Sequence, residues 1–420
     1  MKAHNFKSFA LNVMQLYFVQ GLNYVLPLLC LPYLLTKLSP DAFGTFSFGQ
    51  AFVQFIILFV DFGFNMPVSK KIALNANDDA FVLSTYKRII TLKFVLFGLA
   101  VLLLLPIFYS LASWEIYRTA VLLSLITVLG SILSPLWLFQ GLNQLKTYNV
   151  FNAISRFVTL PFIFILIKDD SDYITPTLLY SSALFLAGLI SIAYLYANHF
   201  YKGFWKVPLF FHDIKSEIRD SYGFFLSNSA VSLYTNGLIV VLGAFSTSSV
   251  VGLFGAIDRF VRMICFSVFV PISQAAFPMV SRLGVEDINS GKKLLKKIIF
   301  LTLGLLSLIL LGYFMVENII ISRFFKDYPN VRSYLRIAIF TILPIGVGGA
   351  LGQLGLVALG GEKEKKLFYS GYLIVGLVIF PMSILLIMLS PLNGAITAMM
   401  GAEIFVFLWM AFIAIKRGII

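Results

Sequence analysis

Apolar runs close to twenty residues long, almost free of charge, recur along this chain and are separated by short polar connections. A helix rises about 1.5 Å per residue, so about 20 such residues match the roughly 30 Å hydrocarbon core of a bilayer. The pattern predicts about twelve membrane-spanning helices, near residues 10–36, 43–68, 89–112, 118–142, 147–167, 174–198, 222–246, 250–280, 295–316, 333–358, 367–388 and 392–415. The fold class expected is an all-α membrane protein.

Composition supports that reading and excludes its rivals. With 59% hydrophobic and 12% charged residues in 420, and a mean hydropathy of +0.92, there is too little polar surface to cover a soluble globule. The net charge of +13 does not point to nucleic acid. The basic residues fall in short clusters between spans, with no aromatic and basic face of the kind single strands need. Their distribution reads instead as topology. Placing both termini in the cytoplasm gives roughly a threefold excess of Lys and Arg on the inner side, as the positive-inside rule requires. The ninth connection departs from the rule, with Arg323, Lys326, Arg332 and Arg336 on the outer side. The segment Met1 to Lys7 is weakly basic, and the run after it is longer than a signal-peptide core, so it is expected to remain as the first span. Cys30 and Cys265 both lie in apolar runs, which implies neither a disulfide framework nor a thiolate metal site.

An internal repeat organises the spans. Phe43 to Ile56 aligns without gaps on Val251 to Ile264, with Gly, Phe, Phe, Val and Ile matched, and Val68-Ser69-Lys70 falls on Val280-Ser281-Arg282 after about one extra turn. Each matched segment opens the second span of a half. Two six-helix lobes are therefore expected, residues 1–200 and 222–420, related by a pseudo-two-fold axis along the membrane normal and sharing a central cleft. Between them, residues 201–221 carry Lys202, Lys206, Lys215 and Arg219 with Trp205, Phe210 and Phe211. That mixture suits either an amphipathic helix on anionic membrane lipids or a plain basic linker.

Six ionisable residues fall well inside the predicted spans: Asp61, Arg156, Asp258, Arg259, Arg262 and Glu403. At about 2.5–3.5 kcal/mol each on the insertion scale, all six facing lipid would be prohibitive, so they are expected to face protein or a wet cavity. Asp258 and Arg262 lie one helical turn apart and can pair along a face, which gives a purely structural reading in which they join helices. The functional reading is an anion site built from Arg156, Arg259 and Arg262, because guanidinium forks grip phosphate oxygens strongly. In the repeat register Gln50 and Gln54 stand where Asp258 and Arg262 stand in the second half, and neutral amides suit sugar hydroxyls. Asn23, Asn228 and Asn236 are placed to line the same cleft or to hydrogen-bond between helices. Asp61, Asp258 and Glu403 are candidates for gating, or for proton or sodium coupling. Pro27, Pro32, Pro135, Pro271 and Pro344 fall within spans, either as bending points or as simply tolerated kinks.

The sequence contains no G-x-x-x-x-G-K-[ST] loop and no H-E-x-x-H, while His4, His199 and His212 all lie outside the spans. Nucleotide hydrolysis and metal chemistry are not indicated, and no cofactor is expected. The run Asp169-Asp170-Ser171-Asp172 includes an Asp-x-Asp, but in so short a loop it reads as a solvated helix cap.

Several motifs carry a resemblance. Leu31-Pro32-Tyr33-Leu34 is followed by Phe43-Gly44 and Gln50-Ala51-Phe52; Asp61-Phe62-Gly63-Phe64-Asn65 by Ser69-Lys70-Lys71-Ile72-Ala73; further on stand Pro135-Leu136-Trp137-Leu138-Phe139-Gln140-Gly141 and Pro271-Ile272-Ser273-Gln274-Ala275-Ala276-Phe277-Pro278. With these the chain resembles the polysaccharide repeat-unit flippases (Wzx type) of the multidrug/oligosaccharidyl-lipid/polysaccharide (MOP) exporter superfamily over essentially its whole length. Relatives commonly carry an acidic residue after the Gln-Gly pair, where this chain has Asn143. The resemblance implies a transporter rather than an enzyme, in the bacterial inner membrane. It would export undecaprenyl-diphosphate-linked oligosaccharide by alternating access for O-antigen or other surface polysaccharide, with the polysaccharide polymerase and chain-length machinery as candidate partners. By position, the lumen charges it carries over are Asp61, Arg156, Asp258, Arg259 and Arg262. A cation-coupled multidrug exporter and a lipid II flippase of the same superfamily remain alternatives, as does a membrane glycosyltransferase. The first span lacks the acidic coupling residue usual in the drug exporters, lipid II flippases commonly have about fourteen spans, and no outer catalytic loop is found.

Overall fold

The computed structural model describes residues 29–169, 172–202, 204 and 211–420, and among them all regular structure is helical. Ten runs are long and apolar enough to cross a membrane, and the pair Ile214–Thr235 and Gly237–Phe245, bent by 47°, makes eleven. These are the second to twelfth expected spans. Most of the first, with Asn23 and Pro27, lies outside the described residues, so twelve is not reached among them.

In the first half, α1 (Pro40–Asp61) and α2 (Asn65–Leu74) form one span and α3 (Asp79–Ser110) the next. Then come α4 (Arg118–Leu133) with α5 (Leu136–Gly141), α6 (Leu145–Thr159) with α7 (Phe162–Leu166), and α8 (Ile174–Ala197). The second half holds α9 (Phe211–Thr235), α10 (Gly237–Phe245), α11 (Ser248–Glu286), α12 (Ile288–Phe324), α13 (Val331–Ala338), α14 (Ile342–Gly349), α15 (Glu362–Ile374), α16 (Phe380–Leu389) and α17 (Pro391–Lys416). Stretches of π-helix at Ala350–Leu359 and Val375–Ile379 extend α14 and join α15 to α16.

The breaks have local causes. Phe62 and Gly63 take positive φ (40° and 73°) between α1 and α2, and Pro135 separates α4 from α5. Asn143, at φ 58°, occupies the left-handed region that Asn tolerates better than most residues. Pro271 and Pro344 both lie inside helical runs, so there the helix continues through the proline.

Two compact units are distinguished. The first is Phe48–Asn228 with the described residues 29–33; the second is Leu34–Ser47 with Ser229–Ile420. The first has a core of Phe64, Val68, Tyr86, Ile89, Trp137 and Phe139, and the second one of Val280, Leu295, Leu351, Leu354, Val406 and Met410. Within a bilayer such packing is driven by close contact rather than by escape from water.

The repeat is visible inside the second unit. In its register Ser39 corresponds to Thr247, Pro40 to Ser248, Gly44 to Gly252 and Ser47 to Gly255. Both helices begin at equivalent residues behind a hydroxyl cap: Ala42 N–H donates to Ser39 Oγ at 3.3 Å and Val250 N–H to Thr247 Oγ1 at 3.5 Å. The two helices then cross on their matched glycines. A Cβ on Gly44 would strike the Ser248 carbonyl, and a Cβ on Gly252 would strike the Pro40 carbonyl, so the contact reads the same in both directions. Such reciprocity is the mark of an isologous contact.

The basic linker resolves into structure from Phe211, where α9 begins and runs unbroken to Thr235. The Glu217 side chain is 3% exposed, and its carboxylate is held by Lys71 and Arg88, each at 2.9 Å. Asp220 also meets Lys71 at 2.9 Å. Lys87 donates to the Phe204 carbonyl at 3.0 Å. Several cations counted as markers of sidedness thus also anchor this region within the first unit.

Candidate functional site

In the first unit the helix break at Phe62-Gly63 fixes the end of α1, and Asp61 is its last residue. The break is tight: a Cβ on Gly63 would meet Phe224, the Phe225 N–H and the Ser221 carbonyl. Phe62 stacks on Phe225 with centroids 4.5 Å apart and planes 9° apart. Asp61 Oδ1 accepts a hydrogen bond from Lys93 Nζ of α3 at 2.6 Å, with Lys93 2% exposed and Asp61 25%. Tyr148 on α6 lies within electrostatic reach of Asp61 and of Arg156, which is half-buried two turns further along the same helix. Asp61, Lys93 and Arg156 are thus all carried by the first unit. Gln50 and Gln54 are half-buried on α1, and Gln50 Nε2 donates to Ser124 Oγ of α4 at 3.4 Å.

Lys93 is the residue the sequence reading missed. The apolar run begins only at Ile89, which puts Lys93 near its edge, yet α3 begins at Asp79 and carries Lys93 well into the span. A lysine four residues inside an apolar run was the available signal.

The second unit brings Asp258, Arg262 and Glu403 together. Arg262 Nε donates to Asp258 Oδ1 at 2.7 Å along α11, and Arg262 Nη1 faces Glu403 Oε1 of α17 at 3.0 Å. The three side chains are 11%, 19% and 7% exposed in the order Asp258, Arg262, Glu403. Glu403 thus shares the Arg262 guanidinium with Asp258. Tyr234 of α9 and Tyr372 of α15 lie within electrostatic reach of Glu403, with rings stacked at 6.4 Å and 7°. The pairing of Asp258 with Arg262 was legible from spacing; the arrival of Glu403 from a helix far along the chain was not.

Arg259 turns away from that triad. Its guanidinium lies over Phe46 at 4.9 Å and Phe43 at 5.4 Å, a cation–π arrangement worth about 0.5–2 kcal/mol. Arg259 therefore sits in an aromatic setting, Arg262 in an acidic one, and Arg156 in the first unit. A further buried acid was also missed: Glu317, 5% exposed, is gripped by Arg336 at 2.8 Å through Nε and Nη2, so one of the four outer basic residues of the ninth connection has a partner. Among the described residues no group of three His, Cys, Asp or Glu is placed to hold a metal ion.

Comparison with known proteins fits this architecture. Residues 9–284 match the family described as Polysaccharide biosynthesis protein. The chain is 31% identical over 379 residues to a protein of Escherichia coli (strain K12) named "Putative O-antigen transporter", covering 89% of this chain and 90% of that one. It is 28% identical over 375 residues to a protein of the same name from Shigella dysenteriae, covering 88% and 92%. Among solved structures it is similar to the lipid II flippase MurJ in an inward closed conformation, with a TM-score of 0.71 and 17% identity over 96% of this chain and 87% of that one. An inward-facing multidrug resistance MATE family transporter of the MOP superfamily gives a TM-score of 0.69 and 16% identity over 94% and 95%. At such identities these two speak for the fold alone, an all-helical transporter fold. With its repeat, its buried charges and this match across most of its length, the chain belongs to the polysaccharide biosynthesis protein family.

Proposed function

We propose that this protein is a flippase that carries lipid-linked oligosaccharide repeat units, joined to undecaprenyl diphosphate, from the inner to the outer leaflet of the bacterial inner membrane. The observation that carries the reading is the family match together with two relatives named as O-antigen transporters. The physics of the task agrees with it. The polyprenyl tail of such a ligand is at home in hydrocarbon, whereas its diphosphate and sugars are not. The protein needs only to offer the head a polar, cationic path exposed in turn to each side of the membrane.

The cationic group of the first unit suits that role. Lys93 and Arg156 offer an ammonium and a guanidinium, the side-chain cations that bind phosphate oxygens, in surroundings of low dielectric. Gln50 and Gln54 supply neutral donors and acceptors for sugar hydroxyls on the same unit. Both termini lie on the cytoplasmic side in this reading, as the basic connections require.

The test is genetic and then biochemical. Deleting the gene should stop surface polysaccharide and leave lipid-linked repeat units accumulated on the cytoplasmic face, and expressing the chain should restore both. The purified protein in vesicles should move a fluorescent lipid-diphosphate glycan between leaflets. Unchanged polysaccharide in the deletion strain would reject the reading, and accumulation of drugs instead would favour a multidrug exporter.

A further inference from the structure

We infer that the outer end of α12 and the start of α13 form a binding site for the headgroup of an anionic phospholipid of the surrounding bilayer, phosphatidylglycerol in chemical type. The inference goes beyond transport and takes only the sidedness of the spans from the proposed function.

Charge is the first mark of the site. Arg323 in the last turn of α12, Lys326 in the turn that follows, and Arg332 and Arg336 on α13 are all exposed. On the outer side such a cluster runs against the positive-inside rule. Among the described residues Arg323, Lys326 and Arg332 make no ion pair, not even with Asp327 of the same turn.

Arg336 is held ready for an anion. The buried Glu317 carboxylate takes Nε and Nη2 at 2.8 Å each, which fixes one edge of the guanidinium while the side chain stays 53% exposed. Nη1 has no partner among the described residues. With the second N–H of Nη2 it makes the other edge, a fork of parallel donors suited to phosphate oxygens. Tyr313, one turn before Glu317, lies within electrostatic reach of Arg332 and Arg336, and its buried hydroxyl also lacks a hydrogen-bond partner among the described residues.

The surface beneath the cations identifies the occupant. Met315, Ile319 and Arg323 recur every four residues on α12, and Arg332, Arg336 and Phe340 do so along α13 and the turn after it, so each set forms one stripe. Both stripes carry cations at the outer end and apolar side chains deeper in the span. Met315, Ile319 and Phe340 are 86%, 66% and 48% exposed, as on a lipid-facing surface rather than in a cleft between helices, while Val331, Leu335 and Ala338 turn the other face of α13 inward. A phospholipid meets both parts: its acyl chains lie along the apolar residues and its phosphodiester reaches the cations at headgroup depth. A zwitterionic headgroup brings an ammonium of its own, so an anionic one is the better complement.

Photolabelling of the full chain in phosphatidylcholine vesicles tests this, with a trace of phosphatidylglycerol or phosphatidylcholine bearing a diazirine in its acyl chain. Cross-linking to residues 311–324 and 331–341, read by mass spectrometry, should be about fivefold greater from phosphatidylglycerol in the wild type. Lys326→Gln/Arg332→Gln should bring the two lipids to within about twofold of each other. If that variant fails to insert, Arg336→Lys serves, because its ammonium still neutralises Glu317 but has no second edge, and the preference should fall. A preference absent from the wild type, or undiminished in the variant that inserts, overturns the site. Undiminished labelling together with lost surface polysaccharide would assign the cations to an acidic protein partner instead. Displacement of the label by undecaprenyl diphosphate better than by unlabelled phosphatidylglycerol would assign them to the transported head. Displacement by inorganic phosphate better than by chloride at equal ionic strength would assign them to a free anion, and either result overturns the lipid site. Labelling needs no transport, so it is judged apart from the flippase reading, which polysaccharide in the deletion strain decides.

Discussion

Two of the charged groups held in the spans differ in make-up. In the first unit Lys93 of α3 pairs with Asp61, and Arg156 lies on α6; in the second, Arg262 is shared by two carboxylates, Asp258 and Glu403. Equivalent positions of a repeat have thus moved apart in charge, with Gln50 and Gln54 on α1 where α11 has Asp258 and Arg262. The lesson is that one repeated helical scaffold can carry neutral amides at two positions in one copy and a carboxylate–guanidinium pair at the same positions in the other.

The largest effect that would sharpen this contrast is expected from Arg262→Gln. It leaves Asp258 and Glu403 buried without their cation, a loss of about 3–5 kcal/mol. Thermal unfolding in detergent measures it, and a loss below about 1 kcal/mol would break the comparison.

Lys93→Met should cost about 3 kcal/mol by stranding Asp61, while the double variant Asp61→Asn/Lys93→Met should return to within about 1 kcal/mol of wild type. If Lys93 serves the ligand, the double variant stays inactive in polysaccharide assembly despite its recovered stability. Normal assembly would remove the first group from the ligand's path. Arg156→Gln, at a half-buried site, should change stability little and lower transport by about tenfold or more, the worth of one charge-assisted hydrogen bond. Equal transport by Arg156→Gln and wild type would leave Lys93 alone to meet the ligand. The smallest effects belong to the tyrosines. Tyr148→Phe and Tyr234→Phe should each cost about 1 kcal/mol or less, and a clearly larger loss from either would mark its hydroxyl as a necessary member of its group.

Much of this was legible in the sequence because a bilayer leaves few choices. Eleven spans follow from runs of apolar residues, and a charge inside such a run must find a partner. Asp258 with Arg262 is a neighbour relation along one helix and was readable from spacing. What spacing does not encode is which helices lie side by side. Glu403 reaches Arg262 from α17, Asp61 reaches Lys93 from α1, and Glu217 is held by Lys71 and Arg88 more than a hundred residues away. Lys93 escaped for a different reason. The amphipathic first turns of α3 push the start of the helix well ahead of the start of its apolar run, so a residue deep in structure looked like one at the surface.

The crossing of Gly44 on Gly252 has an evolutionary consequence. Elsewhere the repeats are at liberty to diverge, and the buried charges show how far they have done so. Where a residue touches its own counterpart, neither copy can enlarge its side chain without pressing on the other's backbone. Small residues at that point are a constraint the two positions share, so neither can accept a larger side chain while the crossing is kept.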